Sequence, residues 1–401
     1  MKPVSLPIFS EVKAAAEKPH GWPVLRLAFR PFYLAGALLA ALAVPLWVTM
    51  FLGGVQVPMA VPGLLWHAHE MLFGFAVAII LGFLMTAGKT WTGLATPRGP
   101  VLGALVLLWL AARLAAFTPF PAWYAVLDVA LLPVVAGIFA RLLWRAKNHR
   151  NLPLALILML LALANVVFHL ASLGWLAVSA LLPLHAALGL IIMIECVIAG
   201  RVIPAFTMAA TPGLRIQMKP VFERATLALT AAGLLLWVFA PASVVGLLVM
   251  LAAAGLQGWR LWCWKPMLAR RKPILWVLHV AYAWIPAGLL LLGLAQMGWV
   301  TESAGVHALA VGATGGLIMG MVTRTARGHT GRTLAVDAPE VLAYALVVLA
   351  AILRVLVPVL LPNFYSVALV AASVVLSAAF MIYLWIYLPW LMQTRLDGKD
   401  G

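Results

Sequence analysis

The sequence predicts an all-α polytopic membrane protein with about twelve transmembrane helices, and three observations carry that prediction. Of 401 residues, 65% are hydrophobic and only 9% are charged, against roughly 45–50% and about 25% in a soluble domain. Mean hydropathy is +1.08 over the whole length. The apolar runs are long and continuous, whereas a transmembrane barrel would alternate in short segments.

Each crossing needs about 20 apolar residues, and breaks fall at Gly, Pro and charged clusters. The spans then lie near 32–52, 64–87, 100–118, 122–144, 152–172 and 176–200. Six more follow near 224–240, 243–263, 273–297, 304–323, 340–360 and 365–391. The chain reads as one transmembrane domain, 32–391, with a cytoplasmic N-terminal segment, 1–31, and a cytoplasmic tail, 392–401.

The 27 Lys and Arg exceed the 11 Asp and Glu, leaving a formal charge of +16. In a soluble protein that surplus would suggest nucleic acid. With the N-terminus inside, however, 25 of the 27 basic residues fall on the cytoplasmic side; the other two, Arg113 and Arg354, lie within spans. A wrong span count would scramble that separation. The charge is therefore a topology signal, with membrane lipid and no nucleic acid as partner. Two cysteines, Cys196 and Cys263, form no CxxC pair and no disulfide framework.

This topology gathers five of the nine histidines in the outer part of the membrane: His67 and His69 on span 2, His169 on span 5, His185 on span 6 and His307 on span 10. Ionisable residues inside a bilayer are costly and usually mark a pathway or a site, and neutral imidazole is a common ligand for copper, iron and zinc. The alternative is hydrogen-bonding between helices. His279 lies nearer the inner end of span 9, while His20, His149 and His329 belong to cytoplasmic segments.

Trp66-His67-Ala68-His69-Glu70 is the sharpest local motif. Residues i and i+2 on a helix point about 200° apart, so either the helix opens here or the two histidines serve different centres. His67 and Glu70 are i, i+3 neighbours expected to share a face. Glu70 is a candidate general acid; an interfacial cap is the plainer reading. Arg113 and Arg354 lie toward the outer side, where a guanidinium binds a carboxylate such as a haem propionate or snorkels to headgroups. Asp128 and Glu195 read as buried, hydrogen-bonded carboxyls or proton-path residues.

Span 2 ends in GFLMTAGKTWTG (82–93) and span 10 in GMVTRTARGHTG (320–331). The two align without a gap, with His69 and His307 each 13 residues before the first Gly. Span 6 fits more loosely, with His185 preceding Gly200 as His67 precedes Gly82. A motif recurring every four helices suggests three arcs of four. This resembles, in architecture only, the twelve-helix catalytic subunit of the haem–copper oxidases; fold alone assigns no function.

Together, WHAHEMLFGFAVAIILGFLMTAGKTWTG (66–93), AGRVIPAFT (199–207), HVAYAWIPAGLLLLG (279–293) and VHALAVGATGGLIMGMVTRTARGHTGR (306–332) resemble the NnrS family of bacterial membrane proteins, over nearly the whole chain. The resemblance implies a multi-pass inner-membrane protein that binds haem b and copper and belongs to the bacterial response to nitric oxide. The expectation that follows has both metals held in the outer half by His67, His69, His169, His185 and His307. Glu70 supplies a proton, Arg113 and Arg354 hold propionates, and a periplasmic cytochrome or a quinol donates electrons. His279 joins them only through a displaced helix, or serves a second site on the inner side. The rival readings are a protein that binds nitric oxide or metal without turnover, and a transporter of copper, haem or a small anion.

Overall fold

The structure is a computed structural model that describes residues 21–399. Lys2, Lys13, Lys18 and His20, assigned above to the cytoplasmic segment, lie outside the described residues. The described residues hold helices and no strand. Twelve long helices account for the apolar runs: α1 Phe29–Phe51, α2 Gly63–Thr92, α3 Gly99–Ala115, α4 Pro121–Arg145, α5 His149–Ser172 and α6 Leu181–Ala210. They continue as α7 Pro220–Phe239, α8 Val244–Cys263, α9 Pro273–Ala295, α10 Glu302–His329, α11 Ala338–Leu360 and α12 Tyr365–Met392. Eleven are long and apolar enough to cross a membrane. The twelfth, α3, has 17 residues, the short end of the spanning range.

Several helices outrun their apolar stretch. The sequence predicts ends at 87, 200 and 323, but α2, α6 and α10 run on to Thr92, Ala210 and His329. Lys, Arg and Thr beyond the hydrocarbon do not stop a helix; the backbone stops where Gly93 and Gly331 take φ of 68° and 77°. The first helix begins at Phe29, three residues before the expected start.

Neighbours in sequence are neighbours in space, and α12 closes against α1, so the chain forms a ring. Within it, α2 and α10 are the most deeply buried helices, and α6 packs against both. The inner helices therefore recur every fourth element. Closure is pinned by the start of α1, where Arg30 Nη1 donates to the carbonyls of Leu391 (2.9 Å) and Gln393 (2.8 Å).

The repeat read from the sequence has a structural counterpart. His69 is followed by a π-helical stretch, Glu70–Ala76, and His307 by another, Ala308–Gly315. At the far ends, Thr92 Oγ1 donates to Gly88 O (2.6 Å) and Thr330 Oγ1 to Ala326 O (2.7 Å) at matching positions. By contrast, α6 is α-helical throughout.

Candidate functional site

All the sequence-predicted residues except His279 divide between two places, both in the half of the bundle remote from the start of α1, on opposite sides of the start of α2. The helical angle between His67 and His69 dictates the division: the two histidines serve different centres.

The first place is an apolar cavity of about 430 Å³ between α1, α2, α6, α10, α11 and α12. His67, His185, His307 and Arg354 line it. His67 stacks on Trp47 with ring centroids 4.1 Å apart, and His185 stacks on Trp237 at 4.6 Å. His307 Nδ1 donates to the Ser303 carbonyl at 2.7 Å, which leaves Nε2 as its free lone pair. His67 Nδ1 is buried and has no hydrogen-bond partner. At the rim, Trp237 Nε1 donates to Glu302 Oε1 (2.6 Å), which lies 3.7 Å from His185 Nδ1. Arg354 Nη2 donates to Ser303 Oγ at 3.3 Å. A mostly apolar cavity of this size with a few convergent polar groups is typical of small-molecule and cofactor sites. The donor set fits a flat apolar cofactor or a metal taken by imidazole: one histidine held in a fixed tautomer, one buried ring nitrogen without a partner, and a guanidinium beside them.

The second place is a buried polar cluster on α2, α3, α4 and α5. Arg113 Nη1 donates to Glu70 Oε2 at 2.9 Å, and Arg113 Nη2 pairs with Asp128. Asp128 Oδ2 also takes Asn165 Nδ2 (2.7 Å) and His169 Nε2 (3.0 Å). His69 Nε2 lies 2.9 Å from Asn165 Oδ1 and 3.1 Å from Asp128 Oδ2, and Tyr124 OH joins His69 Nδ1 (2.7 Å) to Glu70 Oε1 (2.8 Å). His69, Asp128 and His169 offer ligand atoms within 4.8 Å of one another, a donor set that a metal ion could also use.

The hydrogen-bond directions count the protons. His69 Nε2 faces two oxygens and must donate. Tyr124 has one proton, yet stands between two acceptors, His69 Nδ1 and Glu70 Oε1. The chain His69–Tyr124–Glu70 therefore carries one more proton, on Nδ1 or on Glu70. That proton balances the charges, because two carboxylates otherwise face the single guanidinium of Arg113.

Three expectations change accordingly. Glu70 sides with His69 rather than His67, since the π-helical stretch begins at Glu70 and alters the angle that i, i+3 spacing assumed. Arg113 is engaged by two carboxylates and lies away from the cavity, which leaves Arg354 alone of the two arginines beside it. His279 is at the opposite end, with Nε2 3.0 Å from Thr207 Oγ1, and joins neither group.

Sequence reasoning missed Trp47, Trp237, Tyr124 and Asn165. Asn165 had a signal, a lone amide in an apolar run four residues before His169 and so on the same helix face. Nothing local marked the aromatics: the 17 tryptophans are spread along the chain, and nothing in the sequence around Tyr124 sets it apart from the other six tyrosines.

No curated protein matches the chain significantly. The model of the NnrS protein family matches residues 23–395 of the 401, covering every helix from α1 to α12. The chain therefore belongs to the NnrS family.

Proposed function

We propose that this protein binds nitric oxide at a haem b and copper centre in the cavity and detoxifies it by reduction to N2O. The observation that carries this reading is the convergence of His67, His185 and His307, from α2, α6 and α10, on one apolar cavity with Arg354 beside them. When bound, the metals would supply electron transfer to nitric oxide. Two NO, two electrons and two protons yield N2O and water, so the site needs a donor and a proton source. His307 Nε2 and His185 would ligate, with His67 as a further ligand, and Arg354 would hold a propionate.

The protein's own residues supply the rest. The apolar lining admits a small apolar gas from the lipid and excludes bulk water. His69, Tyr124 and Glu70 hold a proton within the bundle, on the opposite side of α2 from the cavity. Orientation with the basic loops in the cytoplasm of an inner membrane would put the cavity near the periplasmic face, in reach of a periplasmic cytochrome or of quinol.

A second reading for copper alone is favoured by the close approach of His69, Asp128 and His169. Copper there would take the nitrogens that now bond Asp128. The deciding experiment is an absorption spectrum of the purified protein, oxidised and then dithionite-reduced, with metal analysis of wild type, His67→Ala and His169→Ala. A b-type spectrum perturbed by nitric oxide, with copper lost in His67→Ala and kept in His169→Ala, supports the cavity. Copper lost only in His169→Ala moves it to the cluster. A folded protein without haem or copper overturns the reading.

A further inference from the structure

At the end of the bundle where α1 begins and α12 ends, a second cavity of about 340 Å³ opens between α5, α6, α7 and α8. Three arginines line it, Arg150 just before the main body of α5, Arg201 on α6 and Arg260 on α8, with Glu223 on α7 as the one lining carboxylate. Arg260 is fully committed: its Nε and Nη2 hold Glu223, and Nη1 donates to Cys196 O (3.0 Å) and Tyr282 OH (2.9 Å). Arg201 donates to Asn151 Oδ1, a neutral oxygen. No carboxylate among the described residues pairs with Arg150 or Arg201. The cavity thus holds two positive charges in excess of its negative one.

Depth decides what would meet them. From Leu181 to Arg201 is about 30 Å along α6, the thickness of the hydrocarbon layer. Arg201 therefore stands at the level of lipid phosphates. The rest of the lining is apolar, with Val197, Pro204, Met208, Ile216, Met218 and Leu227. A half-buried guanidinium without a counter-charge, as at Arg201, is costly, and basic pockets between transmembrane helices bind anionic headgroups.

We propose that this cavity is a binding site for a phosphate group, that of an anionic phospholipid, held by Arg150 and Arg201 with the apolar wall against its glycerol and first methylenes. The site is independent of the haem and copper reading.

The test is thermal unfolding of the full chain in neutral detergent, titrated with phosphatidylglycerol, phosphatidylcholine or inorganic phosphate. Phosphatidylglycerol should raise the midpoint and phosphatidylcholine should not. The apparent affinity should fall roughly fivefold for each arginine removed, in Arg150→Gln and Arg201→Gln. Arg145→Gln, an exposed arginine outside the cavity, should bind as wild type does; Arg150 is itself exposed, so its variant tests the site if Arg201→Gln misfolds. If inorganic phosphate alone gives the same arginine-dependent shift, the ligand is a soluble phosphoryl anion and the lipid assignment fails. Equal shifts in wild type and both variants, or none with any probe, overturn the site.

Discussion

His69 and His307 occupy one structural position in two helices: each is the last residue before a π-helical stretch, on α2 and α10. Their surroundings differ completely. His69 is locked by Tyr124 and Asn165, while His307 is held on one side only, by its own helix at Ser303. The repeat thus gives one histidine to the buried cluster and the other to the cavity.

The half-held state of His307 predicts that His307→Ala purifies as a folded protein with cofactor affinity reduced about tenfold or more. The reduced-minus-oxidised spectrum reads this directly. A full b-type band in the variant would remove His307 from the ligand set.

Proton storage in the His69–Tyr124–Glu70 chain, across α2 from the cavity, predicts that Glu70→Gln and Tyr124→Phe slow nitric oxide consumption by slowing proton supply, without either residue acting as an acid in contact with the substrate. The haem spectrum should be unchanged in both. Loss of metal in Glu70→Gln would show instead that Glu70 holds the site in shape, and unchanged consumption would favour binding without turnover.

Asp128 accepts from Arg113, Asn165 and His169, and an amide in its place would set an NH2 group against those donors. Asp128→Asn should therefore destabilise the protein by about 1–3 kcal/mol through the buried polar groups left unpaired, although Glu70 alone still balances the charge of Arg113. Thermal unfolding in detergent measures this; a shift no larger than that of an exposed change such as Arg145→Gln would contradict the pairing.

The matched glycines Gly74 and Gly312 have no room for a side chain. A Cβ at Gly74 would stand 2.6 Å from Leu39 Cδ2 and 2.7 Å from both Arg113 Nη1 and Glu70 Oε2, and one at Gly312 would meet the Trp284 ring. Either alanine variant should cost about 1–3 kcal/mol. Gly74→Ala should in addition impair nitric oxide consumption, since it strikes the Arg113–Glu70 pair. Wild-type unfolding midpoints would refute both.

The twelve helices were legible because apolar run length is set by bilayer thickness, and the split of His67 from His69 followed from the helical angle. Helix ends were less legible: Lys89 and Arg201 read as breaks, yet charge at a headgroup does not end a helix, and the backbone needed Gly93 or Thr211 to turn. The side chosen by Glu70 was hidden because a π-helical stretch has no composition of its own here. Tyr124 and Asn165 come from helices distant in sequence, and the hydrogen bonds they make to His69 exist only once α4 and α5 have packed.

The bonds from Arg30 to Leu391 and Gln393 also bear on biosynthesis. Helices emerge from the ribosome in order, so the partners of Arg30 are made 361 and 363 residues after it. Until α12 has been made, α1 waits with one flank uncovered and a guanidinium lacking those acceptors. The ring shuts only once α12 has emerged and packed against α1. A nascent protein stalled before α12 keeps that seam open, and insertion chaperones and membrane proteases would meet it there.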